Sequence, residues 1–145
     1  MSTSVLIING PNLNLLGKRE CDLYGELTLS EIKEYTKDKL SGFDLKIDWF
    51  QSNIEGCIVD EVHRFINEEY DFLIINPAGY SHTSIPILDA LKIVSKPIIE
   101  VHLSNIYSRE EFRQTMLTAR AASKIMTGLG KNAYYMAILS ELKGN

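Results

Sequence analysis

Side chains that can bind an anion and transfer protons follow three apolar stretches of this sequence, "SVLIIN", "FLIIN" and "IIEVH". Arginines and backbone amides hold carboxylates, while tyrosine and histidine act as general acids and bases. The pattern predicts proton transfer on a small oxygenated anion, with no thiol nucleophile, metal-ligand cluster or phosphate-type glycine motif. In chain order the candidates are Asn12, Asn14, Arg19, Tyr24, Asn76, Tyr80, His82, Thr83, Glu100, His102, Ser104, Asn105, Arg109 and Arg113.

Two pairs of these residues suggest specific roles. A tyrosine base needs help, because an ordinary phenol has a pKa of about 10, and a nearby guanidinium favours the phenolate. Arg19 precedes Tyr24 by five positions in one glycine-bounded loop, so Arg19 is its predicted activator. Glu100 and His102 point to the same face of an extended segment, because side chains repeat with period two. That pair is either a histidine oriented by a carboxylate or a satisfied buried pair.

Taken singly, the candidates also have ordinary structural interpretations. Asn14 is typical of a residue that hydrogen-bonds the backbone of a turn. Tyr24 could pack its ring, and Arg19 could be a solvated loop charge. Arg109 and Arg113 stand four positions apart, which on a helix surface would let them pair with neighbouring glutamates. The functional interpretation depends on a fold that brings these segments together.

The elements that would position the candidates alternate along the chain, as expected for a parallel sheet with helices on both faces. Capping signatures Thr28-x-x-Glu31 and Ser108-x-x-Glu111 open two of the helices. We predict one α/β domain over residues 1–145, doubly wound, with five strands in the order 2-1-3-4-5. Strands are predicted over 4–9, 44–51, 72–76, 97–102 and within "SKIMTGLG", and helices over 28–40, 55–70, 84–94, 108–122 and 132–143.

A short internal repeat indicates where the site lies. "LIINGPN" at residues 6–12 and "LIINPAG" at 73–79 are both apolar strands that end in asparagine and are followed by proline and glycine. In the predicted order, strands one and three are neighbours, and their carboxyl ends flank the crevice where such folds bind ligands. The repeat therefore predicts that the residues after both strands lie together in one site.

Composition excludes several classes of function. The net charge of −4 over 145 residues argues against non-specific nucleic-acid binding, which needs a basic face. No stretch approaches the roughly 20 apolar residues of a membrane helix, and the first residues lack a signal-peptide pattern. Cys21 and Cys57 have no metal-binding spacing, so a reduced, cytoplasmic setting is predicted.

Four longer motifs resemble the successive motifs of type II 3-dehydroquinate dehydratases (dehydroquinases): "INGPNLNLLGKRECDLYG", "QSNIEG", "INPAGYSHTSIPILDAL" and "EVHLSNIYSREEFR". The resemblance implies a flavodoxin-like fold and a homo-oligomer, a dodecamer built from trimers. It implies reversible anti elimination of water from 3-dehydroquinate, giving 3-dehydroshikimate through an enolate, in the shikimate pathway or in quinate catabolism. It implies no cofactor, metal ion or Schiff base, and neither a nucleic-acid nor a membrane partner.

The resemblance also implies catalytic roles for five residues. Tyr24 would be the base that takes the proton alpha to the ketone, activated by Arg19. His102 would be the acid that protonates the leaving hydroxyl, oriented by Glu100. Asn12 would stabilise the enolate through a bound water, which is an oxyanion-type role.

Seven further residues match positions that bind substrate or complete the site. Arg109 matches the residue that steadies the mobile loop, and Asp89 matches the one that reaches into the site of a neighbouring subunit. The backbone of Leu103 and Ser104 would hold the substrate carboxylate. The residues matched to binding of ring hydroxyls are Asn76, His82 and Arg113.

The sequence departs from the family pattern at a few positions. Cys21 replaces a proline of the loop, and Ile54 replaces a histidine of the second motif. The usual Gly-Ala order after Pro77 is reversed to Ala78-Gly79. None of these departures removes a residue matched to a catalytic role.

Other functions fit the residues less well. A Schiff-base dehydratase needs a site lysine, and only Lys18 is near. A phosphoacceptor module would have an aspartate where Asn76 stands, and "GPNLNLLG" lacks the character of a flavin phosphate loop. A catalytically impaired homologue or a flavodoxin-like binding module is the remaining alternative, and retention of Tyr24, Arg19 and His102 together argues against it.

Overall fold

The computed structural model describes residues 2–142 of the chain. Five parallel strands form one sheet in the order β2-β1-β3-β4-β5, which confirms the predicted doubly wound topology. β1 and β3 are buried along most of their length, because both sheet faces are covered at the centre of a parallel sheet. The strands are β1 Thr3–Asn9, β2 Leu45–Gln51, β3 Phe72–Asn76, β4 Ile98–His102 and β5 Lys124–Thr127.

Helices cover the two faces of the sheet with separate apolar cores. Alternation along β1 sends Val5 and Ile7 to one core and Leu6 and Ile8 to the other. Over the described residues the α-helices are α1 Cys21–Tyr24, α2 Leu29–Lys39, α3 Glu55–Asn67, α4 Ile85–Ile93 and α5 Ala133–Leu142. The first core includes side chains of α2 and α5, and the second includes side chains of α3 and α4.

Two predicted helix starts are confirmed by their caps. Thr28 and Glu31 form both hydrogen bonds of a capping box at the start of α2. The Ser84 side chain accepts from the Ile87 amide at the start of α4, with Pro86 in the first turn. The third predicted helix is too long: α3 ends at Asn67 rather than at residue 70, because Glu68 turns to extended backbone (ψ 168°). Residue 143, predicted to end the last helix, lies outside the described residues.

The predicted helix over 108–122 is wrong. Three short 3₁₀ turns replace it, Ile106–Ser108, Glu111–Gln114 and Thr118–Ala121. Extended backbone at Arg109 and Thr115 separates the turns, so the arginines are not one helical turn apart. The Ser108 hydroxyl donates to the Asn105 carbonyl instead of forming a capping box. Contacts with the site described below outweigh the local preference for helix.

The long connection after β1 is more ordered than the predicted loop. A 3₁₀ turn, Leu13–Leu15, follows the strand, and the four residues of α1 precede Gly25. Gly17 and Gly25 adopt positive φ angles of 90° and 83°, which glycine tolerates and other residues rarely do. Tyr24 is thus the last residue of a short helix rather than part of an open loop. Within residues 2–142, no helix has both the length and the apolar character of a membrane span.

Candidate active site

The carboxyl ends of β1 and β3 lie side by side, as the internal repeat predicts. Asn9 and Asn76 are register partners in the parallel pairing of these strands. The Gly10 amide donates to the Asn76 carbonyl at 2.7 Å, and a Cβ on Gly10 would lie only 2.5 Å from the Pro77 carbonyl oxygen. Only glycine allows this close backbone approach.

A cleft opens beside these strand ends. It is lined by ten of the twelve residues to which the family resemblance gives a role in the site. Glu100 lies buried behind His102, and Asp89 is an exposed residue of α4 that does not line the cleft of its own chain. The ten lining residues are Asn12, Arg19, Tyr24, Asn76, His82, His102, Leu103, Ser104, Arg109 and Arg113.

Two guanidinium groups contact the phenol oxygen of Tyr24. Arg109 Nη1 donates to this oxygen at 2.6 Å, and Arg19 Nη2 donates at 3.1 Å. The Arg19 guanidinium also lies 4.0 Å from the centre of the Tyr24 ring. Arg109 Nη1 is anchored in turn by the Ser104 hydroxyl at 3.2 Å. Negative charge on the phenol oxygen is therefore stabilised from two sides, by α1's own connection and by the β4–β5 connection.

His102 is held by a buried carboxylate with three donors. His102 Nε2 lies 2.7 Å from Glu100 Oε2, so Nε2 carries the proton and Nδ1 is the other ring nitrogen. The Ser81 hydroxyl donates to the same Glu100 oxygen at 2.7 Å, and the Thr118 hydroxyl donates to Oε1 at 2.5 Å. Glu100 is fully buried and His102 nearly so. This network fixes the orientation of the imidazole.

His82 is a neutral imidazole with a defined tautomer. Its Nδ1 donates to the Thr115 carbonyl at 2.9 Å, which leaves Nε2 as an acceptor. Burial is the main cause that lowers the pKa of His82 below its ordinary value of 6.5. The hydrogen bond to Thr115 raises this pKa, and the charges of His102 and Arg113 lower it. The His82 and His102 rings stack with centres 6.1 Å apart.

The connection after β2 positions Asn12. Asn53 Oδ1 accepts from the Asn12 amide at 2.9 Å and from Gln51 Nε2 at 3.2 Å. Asn12 adopts a left-handed backbone conformation, φ 69°, which asparagine tolerates better than most residues. No polar atom of the Asn12 side chain forms a hydrogen bond within residues 2–142. Its side-chain amide is therefore available to a ligand in the cleft.

Two residues directly after β4, Leu103 and Ser104, also line the cleft. The Gly128 amide donates to the His102 carbonyl, and the Gly130 amide donates to the Leu103 carbonyl at 2.9 Å. In a planar trans peptide the N–H points away from the C=O. The amides of Leu103 and Ser104 therefore point away from the β5–α5 connection.

A buried tyrosine, Tyr134, joins Asn9 and Asn76, the asparagines that end the two repeated strands. Asn76 Nδ2 donates to Tyr134 Oη at 3.1 Å, and Tyr134 Oη donates to Asn9 Oδ1. The Ala78 amide donates to Asn76 Oδ1 at 3.2 Å. Tyr134 is completely buried on α5, where its ring meets the Trp49 ring edge-on with centres 5.2 Å apart. Burial raises the pKa of Tyr134, so its hydroxyl keeps its proton.

Sequence reasoning missed Ser81, Thr118 and Tyr134. Ser81 precedes His82 directly, so its place beside the site had a signal in the strand-end motif. Thr118 fell inside the wrongly predicted helix, and nothing in its neighbours indicates a carboxylate partner. Tyr134 lies in the last predicted helix, 132–143, and was not singled out. The one signal available for Tyr134 is chemical, because a phenol that is fully buried needs a hydrogen-bond partner.

The three departures from the family pattern have defined places in the structure. Ala78 adopts φ 52°, the left-handed region that disfavours a side chain, while no atom lies within 4 Å of a Cβ placed on Gly79. Ile54 is 63% exposed at the start of α3. Cys21 is an exposed free thiol at the first position of α1.

Comparisons with known proteins agree with the site. The sequence profile of the family "Dehydroquinase class II" matches residues 3–142. A 3-dehydroquinate dehydratase of Clostridium botulinum is 52% identical over 135 residues, covering 93% of this chain and 91% of the relative. A protein of the same name from Helicobacter acinonychis is 44% identical over 138 residues, covering 94% and 82%.

Solved structures agree as well. The type II dehydroquinase of Butyrivibrio crossotus superposes with a TM-score of 0.92 at 37% identity, covering 96% of this chain and 97% of the other. The type II dehydroquinase of Propionibacterium acnes superposes with a TM-score of 0.88 at 35% identity, covering 100% and 99%. The chain therefore belongs to the class II dehydroquinase family.

Proposed function

We propose that Tyr24 is the catalytic base in this chain's reaction, the dehydration of 3-dehydroquinate to 3-dehydroshikimate. The observation that carries the proposal is the contact of two guanidinium groups, from Arg19 and Arg109, with one phenol oxygen. Held as the phenolate between these two cations, Tyr24 accepts the proton alpha to the substrate ketone. The electron pair of that C–H bond becomes the enolate.

His102 is the proposed acid. Its Nε2 is occupied by Glu100, so Nδ1 is the ring nitrogen that can give a proton to the leaving hydroxyl. The C–O bond breaks, water departs, and the enolate electrons form the double bond conjugated to the ketone. The buried Glu100 carboxylate compensates the imidazolium charge before the transfer. Return of the Tyr24 proton to His102 through solvent restores both groups.

The other lining residues are proposed to bind and stabilise. The unpartnered side-chain amide of Asn12, with a bound water, faces the enolate oxygen, where charge develops. The backbone amides of Leu103 and Ser104 hold the substrate carboxylate. The residues proposed to bind ring hydroxyls are Asn76, His82 and Arg113, with His82 Nε2 accepting and the other two donating.

A larger assembly is part of the proposal. Large apolar side chains stand exposed near α3 and α4, where Ile54, Ile85 and Ile93 are 63%, 60% and 65% exposed. Contact between copies would cover them, and would bring Asp89 of one subunit to the site of the next. We propose a dodecamer built from trimers, a single catalytic domain per chain, and a cytoplasmic location. Analytical sedimentation tests the assembly, and a monomer at micromolar concentration would contradict it.

The test of the chemistry follows the enone absorbance of 3-dehydroshikimate with assembled protein. We expect turnover that is unaffected by chelators and by borohydride. Tyr24→Phe should lose most of kcat and still bind substrate, and Tyr35→Phe, which lies on α2, is the matched control. Full turnover by Tyr24→Phe would mean that another group is the base. No absorbance change with the unaltered chain would contradict the dehydratase function itself.

A further inference from the structure

The hydrogen bonds from Asn76 through Tyr134 to Asn9 run in one direction. Asn76 Nδ2 donates to the Tyr134 hydroxyl, and that hydroxyl donates to Asn9 Oδ1. Asn9 Nδ2 lies 3.4 Å from the Phe50 carbonyl oxygen, which fixes the Asn9 amide with its oxygen toward Tyr134. All three side chains are buried, so water does not compete for these groups. The chain of bonds therefore has a single satisfied arrangement.

This arrangement determines which atom Asn76 offers to the cleft. Its Oδ1 accepts from the Ala78 amide, and one of the two Nδ2 hydrogens goes to Tyr134. The second Nδ2 hydrogen is left for the cleft that Asn76 lines. A flipped amide would face Tyr134 and Ala78 with the wrong atoms. Without the hydroxyl, nothing on the α5 side would distinguish the two orientations.

We propose that Tyr134 is a positioning residue for substrate binding: from the α5 side of the sheet, its hydroxyl holds the Asn76 amide with a donor toward a substrate oxygen. The inference deepens the proposed function, and it rests on the assignment of Asn76 to substrate binding. Tyr134 itself does not line the cleft. Its influence is on binding rather than on the proton transfers, because Asn76 contacts a hydroxyl that does not react.

Tyr134→Phe keeps the ring and removes the hydroxyl. We expect KM to rise about tenfold with kcat changed less than about threefold, as for the loss of one well-oriented hydrogen bond that acts equally in ground and transition states. Tyr135→Phe is the matched control. It makes the same change at the next residue of α5, packs against Tyr35 and takes no part in the network. Its KM should equal that of the unaltered chain.

A double-mutant cycle with Asn76→Ala separates positioning from general packing. If Tyr134 acts through Asn76, Tyr134→Phe adds nothing to the KM of Asn76→Ala, whereas a purely structural contribution would multiply it. Additive effects would overturn the proposal, and so would a Tyr134→Phe variant with unchanged KM. An Asn76→Ala variant with unchanged KM would instead contradict the binding role of Asn76.

A second variant covers the case in which Tyr134→Phe does not fold. Asn9→Ala removes the acceptor outside the cleft and frees the Tyr134 hydroxyl to turn its proton toward Asn76. We expect the same rise in KM with little change in kcat. If Asn9→Ala folds and binds substrate as the unaltered chain does, the proposal is wrong.

Discussion

Arg109 Nη1 lies 2.6 Å from the phenol oxygen of Tyr24, a residue 85 positions earlier in the chain. The connection between β4 and β5 thereby contacts the short helix after β1. The same Arg109 nitrogen bonds to Ser104, just after β4, so the guanidinium is anchored outside the connection that carries Tyr24. Arg19, in contrast, belongs to the same connection as Tyr24.

Removing the anchored guanidinium should weaken the base. Arg109→Met preserves much of the apolar stem and deletes the donor to Tyr24. We expect kcat to fall about ten- to a hundredfold, because hydrogen bonds to charged groups contribute about 1.5–3 kcal/mol. Steady-state kinetics measures this, with Arg120→Met as control, an exposed arginine of the same connection. Equal kcat in both variants would show that Arg19 alone serves the phenol.

Loss of one hydrogen-bond donor to Glu100 should disturb the orientation of His102. Thr118→Val has nearly the same shape and leaves Glu100 Oε1 without the hydroxyl that lies 2.5 Å away. We expect the free energy of unfolding to fall by about 1–3 kcal/mol and kcat to fall severalfold. Thr3→Val makes the same change at the first residue of β1, at the other end of the strand from the cleft, and should alter neither. Denaturant unfolding and kcat together test this, and an unaffected Thr118→Val would contradict it.

The reversed pair after Pro77 should be open to stabilisation. Ala78→Gly relieves a left-handed backbone and should raise the free energy of unfolding by about 1 kcal/mol. Gly79→Ala should add about 0.4–1 kcal/mol, because a Cβ meets no atom within 4 Å and the unfolded chain loses freedom. Thermal unfolding of each variant measures the gain. A lower melting temperature for Ala78→Gly would show that φ at residue 78 is not strained.

His82 should make the fold sensitive to acid. Its pKa is lowered in the folded chain, chiefly by burial, so the unfolded chain binds the proton first as the pH falls below about 6.5. The free energy of unfolding therefore declines as pH falls from about 6.5 toward the lower folded pKa. His82→Gln should flatten that decline, and His63→Gln, on an exposed position of α3, should not. Chemical unfolding at several pH values tests both, and parallel profiles for the unaltered chain and His82→Gln would contradict the prediction.

Strand positions, sheet order and the meeting of Asn9 with Asn76 could be predicted, because apolar runs and strand-end motifs are local signals. Capping at Thr28 could be predicted for the same reason. The segment of 108–122 could not. Its Ser-x-x-Glu signature favours a helix, but Arg109, Thr115 and Thr118 are held by Tyr24, His82 and Glu100, which lie far away in sequence. Ten of the fifteen residues that line the cleft could be named, and so could Glu100 behind His102. The buried hydroxyl partners Ser81, Thr118 and Tyr134 could not, because their neighbours in sequence carry no signal of these contacts.

The edge-on contact of Trp49 with Tyr134 gives the protein a built-in optical reporter. Trp49 is the chain's only tryptophan, so its emission has a single source. The indole packs 5.2 Å from the ring whose hydroxyl bonds Asn76, which lines the cleft. Events in the cleft that shift Asn76 should therefore change the fluorescence of a residue that never meets the substrate. Occupancy of the site could then be followed in real time without a label or a coupled assay.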